Sequence, residues 1–152
     1  AGGSGNVAVG SEVAVPMAFT LADKSANPAF AAPGATGLPS SMKIEVDKGA
    51  VLDFTNVTGG QVVEALTLDA VNGGGEVRGA RLAETGVLYL NNLPEGADLK
   101  TCRPSFGWKA VVGGLDFSRW QLVVDGVETD ERIRWKNGAF RFGRTGLCLI
   151  VK

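Results

Sequence analysis

Histidine is absent from the 152 residues, and that absence removes more chemistry than any other feature of the composition. Without an imidazole there is no Ser-His-Asp or Cys-His catalysis, no histidine-ligated zinc and no side chain that titrates unperturbed near neutrality. Cysteine is nearly absent too: Cys102 and Cys148 are the only two, and neither lies in a CxxC motif that would suggest zinc or redox chemistry. Neither cations nor acids are in excess. Lysine and arginine total 15 against 16 acids, a net charge of −1 that argues against a nucleic-acid partner. No run approaches the roughly 18 apolar residues of a membrane-spanning helix. No segment longer than about ten residues shows helical periodicity either.

Glycine is abundant: its 22 residues are about twice its usual share. A chain of this length is the size of one domain and needs no metal or cofactor to bury a core. Short alternating runs between glycine turns predict an all-β fold, either an antiparallel β-sandwich or a short β-solenoid, ending in a C-terminal antiparallel meander. The division predicted is an N-terminal extended strand within residues 1–24, a Pro- and Ala-rich linker or loop over 25–41, and a β-rich domain over 42–152.

The N-terminal stretch is the most regular. Val7, Val9, Val13, Val15, Met17 and Phe19 share one parity, broken by Ser11, while the other parity holds mostly small residues with Glu12 among them. Period two with one greasy and one slim face describes an extended strand. Such a strand either begins the domain's own sheet or fills a groove on a neighbouring copy. Pro16 confines it to an edge or breaks it. The segment after it carries Pro28, Pro33 and Pro39 around the lone aromatic Phe30.

Strands are predicted near 42–46, 51–57, 61–69, 76–82 and 86–90. Towards the C-terminus, Trp120 to Val124 turns at Asp125-Gly126. Arg132 to Trp135 then turns at Lys136-Asn137-Gly138 into Ala139 to Phe142, and Leu147 to Val151 forms a last strand. Ile133, Trp135, Phe140 and Phe142 are expected on the buried face, with Arg132, Arg134 and Arg141 in water as a solvated face rather than a binding site.

Catalysis finds little support. Asp125, Glu128, Asp130 and Glu131 crowd one hairpin but flank exposed turns, with no sign of the cleft that paired carboxylates need. Asn72 and Glu76 lack the spacing of a calcium loop. The run Gly73 to Gly79 has neither the lysine nor the helix of a phosphate loop. No enzyme activity, catalytic residue, metal or cofactor is predicted. Trp108, in the loop-like Pro104 to Lys109, is the candidate glycan contact, whereas Trp120 and Trp135 sit in strand patterns. In an exported protein, Cys102 and Cys148 would be a candidate disulfide closing a loop of 46 residues, worth about 4 kcal/mol in the chain-entropy model. Charge is also polarised: residues 1–98 carry net −6 and residues 99–152 net +5, which favours head-to-tail contacts between copies.

Trp120 to Glu128, Arg134 to Phe142 and the closing Leu149 to Lys152 resemble the C-terminal region of autotransporter-like β-solenoid surface proteins of Verrucomicrobiota-type bacteria. The rung-like text between Ile44 and Leu93 is similar to their glycine-punctuated strands. The resemblance implies an exported, cell-surface, non-enzymatic β protein.

The function expected is therefore that of a structural subunit of an extracellular fibre or surface matrix, released after signal-peptide removal. It would assemble with other copies of itself through Val7, Val9, Val13, Val15, Met17 and Phe19. The alternative is a monomeric carbohydrate-binding β-sandwich that uses Trp108 to hold glycans.

Overall fold

A computed structural model of the chain describes residues 18–21 and 30–143. It is β-rich with almost no helix. The described residues form eleven strands: β1 (Ala18–Leu21), β2 (Lys43–Val46), β3 (Val51–Asp53), β4 (Gln61–Asp69), β5 (Glu76–Arg78), β6 (Ala80–Asn91), β7 (Gly107–Lys109), β8 (Trp120–Val124), β9 (Val127–Thr129), β10 (Arg132–Lys136) and β11 (Ala139–Gly143). From β2 to β8 the chain alternates between two sheets. One runs β1-β2-β4-β6-β8-β9, the other β3-β5-β7, and β10-β11 forms a separate hairpin.

This arrangement corrects the expected fold class. Neither an antiparallel sandwich nor a plain short solenoid is formed, because the sheets mix directions. β1, β2, β4, β6 and β8 pair in parallel, as do β3, β5 and β7, whereas β9 on β8 and β11 on β10 are antiparallel. The physical reason lies in the connections. From β2 to β8 each strand of one sheet reaches its next partner by way of the other sheet, so it returns in the same direction; among the described strands only the tight Asp125-Gly126 and Asn137-Gly138 turns make hairpins. Apolar alternation sets which face is buried, and a parallel neighbour satisfies it as well as an antiparallel one.

The core is a set of in-register columns. Phe19, Ile44, Leu66, Leu88 and Leu122 face one another strand by strand, and the four aliphatic members are buried. Ile44, Leu66 and Leu88 follow at a constant interval of 22 residues. Leu52, Val77 and Trp108 form the column of the second sheet. Burying a Leu or Ile side chain in this way contributes about 1.5–3 kcal/mol.

Residues 30–41 pack onto this body. The Phe30 ring lies 5.0 Å from Phe54 and 6.1 Å from Phe19, and Ala35 bridges Val57 in parallel. The buried amide of Gln61 pins the segment: its Oε1 accepts from Leu38 N–H at 2.7 Å, and its Nε2 donates to Leu38 O and Val62 O, each at 2.9 Å. Gln61→Ala is therefore expected to cost about 2–4 kcal/mol, since it leaves a cavity and strips both backbone groups of Leu38 of their partner. Urea denaturation measures this; a loss under about 0.5 kcal/mol would show that water replaces the amide.

Carboxylates hold the turns at the strand ends. Asp69 Oδ1 accepts from the N–H groups of Val71 and Asn72, and its Oδ2 from the Asn92 side chain at 2.7 Å. Asp125 accepts from Asn92 N–H at 2.7 Å and Leu93 N–H at 3.2 Å. Partial burial pushes the Asp69 carboxyl up, but the bonds from Asn72, Asn92 and Val71 together outweigh it, and the group settles below its ordinary 3.8. The Thr55 hydroxyl and N–H lower Asp53 in the same way. A lowered folded value means stability that is complete above the unfolded value and lost as pH falls through the folded one. The melting temperature is thus expected to stay level from about pH 8 to 5, where no histidine titrates, and to fall below about pH 4. A melting temperature that rises on acidification below pH 4 would contradict this linkage.

Candidate functional site

The clearest concavity of charged character lies beside the C-terminal hairpin. Asn137-Gly138 sets its register, pairing Lys136 with Ala139, Trp135 with Phe140, Arg134 with Arg141 and Ile133 with Phe142. Phe140 anchors the hairpin to the body, its ring 5.2 Å from Phe117 and 5.9 Å from Phe106. Phe117 in turn lies 5.1 Å from Trp120, and its carbonyl accepts from the Trp120 N–H at 3.0 Å. This packing sets the 115–118 turn alongside β10.

Between them runs a groove of about 520 Å³, walled by Leu115, Asp116, Phe117 and Ser118 on one side and by the whole of β10 on the other, with Arg141 from β11. β10 is paired on one edge only; among the described residues no strand pairs with its other edge. Arg132, Arg134, Lys136 and Arg141 give the groove four cations against the single carboxylate of Asp116. That carboxyl is held below the usual range by the Ser118 N–H and hydroxyl, with Arg132 and Arg119 adding attraction. Arg134 and Arg141 stand directly across from each other, a like-charge pairing that costs stability. Arg141 Nε is enclosed without a hydrogen-bond partner. The half-buried Trp135 donates its indole N–H to Phe106 O at 2.8 Å, which leaves ring surface as its contribution to the groove.

The arginines expected to form a solvated face are thus gathered along a groove. The Asn-Gly turn alone yields the Arg134–Arg141 pairing from sequence; the opposing wall depends on Phe117, a non-local contact that no motif announces.

The other predicted positions fall elsewhere. Trp108 is corrected from an exposed loop to strand β7, where it is only 7 % exposed and packed 4.9 Å from Phe106. Buried there, its ring offers no open face for a sugar. Its three-residue strand is hidden in the sequence by Pro104 and Gly107. On the outer face of the six-stranded sheet a shallower depression includes Tyr89, but Lys43 Nζ sits 4.3 Å over that ring and covers it.

Val7, Val9, Val13, Val15 and Met17 lie outside the described residues, as does Cys148 and with it the proposed disulfide. Phe19 is half-buried at its place in the column, pairing with Ile44 of its own chain. The Cys102 thiol is pushed up by burial and lies 3.6 Å from Ala70 O. Asp125 serves the Asn92 turn rather than a carboxylate pair. Among the described residues, no group of acidic or cysteine side chains is placed to hold a metal ion, and no helix is long and apolar enough to cross a membrane. No protein-family description, curated protein or solved structure matches the chain.

Proposed function

We propose that the chain is a non-enzymatic, exported structural protein, a subunit of an extracellular fibre or surface matrix whose copies are joined through the N-terminal strand. One observation carries this reading. β1, the last part of the alternating stretch, pairs with β2 as the outermost strand of the six-stranded sheet, at the opposite end from β8 and the cationic groove beside it. The stretch ahead of Ala18 therefore starts from one end of the sheet, while β10, with one edge unpaired among the described residues, lies towards the other. A contact between unlike ends does not close on itself, and its repetition gives a filament. The opposite net charges of the two parts of the chain, −6 over residues 1–98 and +5 over 99–152, favour the same head-to-tail order.

Negative-stain electron microscopy of the intact protein beside a variant lacking residues 1–17 tests the reading. The deletion keeps β1, and with it the Phe19–Phe30 contact. Regular fibres are expected from the intact chain alone. Dispersed particles in both samples would overturn the proposal.

A further inference from the structure

Resting on that reading, we infer that the groove between β10 and the 115–118 turn is the acceptor for the N-terminal strand of a second copy. The occupant follows from how the groove is lined. Five consecutive residues, Arg132 to Lys136, contribute to one wall, which places along the groove the backbone edge of β10 that no described strand pairs with; an extended segment can add there as a further strand.

The two sides of that edge differ. Ile133 and Trp135 point to the side of Leu115 and Phe117, whereas Arg132, Arg134 and Lys136 recur every second residue on the other, about 7 Å apart. A strand that fits needs a greasy face for the first side and a slim face carrying negative charge for the second. Residues 7–17 have that composition apart from Ser11: Val7, Val9, Val13, Val15 and Met17 on one parity, and Ala8, Gly10, Glu12, Ala14 and Pro16 on the other. Small residues let the arginine side chains lie over the strand, and Glu12 gives them one carboxylate to meet.

The arginine pairing supports the same assignment. Arg134 and Arg141 repel across the hairpin, so a carboxylate brought to this side relieves the repulsion. The donor is also set apart. Ala18–Leu21 is already paired on its own β2, so the donated part is the segment before it, and the bodies need not exchange a strand.

The test uses the full-length protein. Unlabelled and 15N-labelled chains are mixed, allowed to assemble, and treated with a carbodiimide, which joins a carboxylate to an amine in direct contact. Mass spectrometry is expected to find Glu12 joined to Lys136 in pairs of mixed isotope. The double variant R132E/R134E is expected to raise the protein concentration needed for assembly about tenfold, with its melting temperature little changed. E12R is expected to recover part of the lost assembly when combined with R134E, a rescue that a merely structural role for Arg134 would not produce.

Fibres that form without the Glu12–Lys136 link, and equally well from R132E/R134E, would overturn the groove assignment and leave strand-joined assembly standing. A link found only within single-isotope chains would also overturn it, by showing that the arm folds back on its own copy. Intact protein that never assembles would overturn both readings.

Discussion

Replacing Phe140 by alanine is expected to lower the unfolding free energy by about 3–5 kcal/mol, the largest loss we anticipate from a single truncation. Its side chain is fully buried and meets the rings of Phe106, Phe117 and Phe142. It joins the β10–β11 hairpin to the body by ring contacts with Phe106 and Phe117, beside the backbone bonds Phe140 N–H to Pro104 O and Phe106 N–H to Gly138 O. The loss should therefore not be uniform. Hydrogen exchange is expected to speed up first in 132–143 and in the 115–118 turn, with β4 and β6 protected until global unfolding. Uniform acceleration across every strand would show that the hairpin and the body unfold as a single unit.

Gly75→Val is expected to cost about 3 kcal/mol or more, for the opposite reason. A Cβ at this position would come 2.2 Å from Ala50 O and 2.5 Å from Asp47 O, and its own N–H already donates to Val46 O at 2.8 Å. The obstructing atoms are backbone oxygens of the preceding turn, so no rotamer change makes room. Gly138 is the useful contrast: nothing lies within 4 Å of a Cβ there, and its cost comes only from the positive φ of 83°. Gly138→Ala should lose about 1 kcal/mol. Chemical denaturation of the two variants checks the order; equal losses would mean that the turn shifts to admit a side chain at Gly75.

Much of the strand layout was legible in the residues. The strand from Gln61 to Asp69 could be placed directly, as could the Asn-Gly and Asp-Gly hairpins; the strand's irregular register, with burial passing from Gln61, Val63 and Ala65 to Leu66 and Leu68, could not. Pairing direction could not, because Ile44 beside Leu66 buries the same surface whether the neighbour runs up or down. What decides it is the excursion through β3, β5 and β7, and these strands have only three residues each, too few for a period to show. Trp108 was misplaced for this reason. The groove was hidden differently: Arg132, Arg134 and Arg141 look like any wet face until Phe117, packed on Trp120 and Phe140, brings the 115–118 turn across from them.

The constant 22-residue spacing of Ile44, Leu66 and Leu88 has a bearing on how such a chain can change its length. A duplicated stretch of that size, inserted in frame between Ile44 and Leu66, would set one more aliphatic side chain into the same column and one more strand into the same ladder. The surfaces at either end, β1 on one side and the β10 groove on the other, would be untouched. Mass could then be gained or lost in whole increments along the column axis, each adding about 4.8 Å, while the joints between molecules stayed interchangeable among variants of different height.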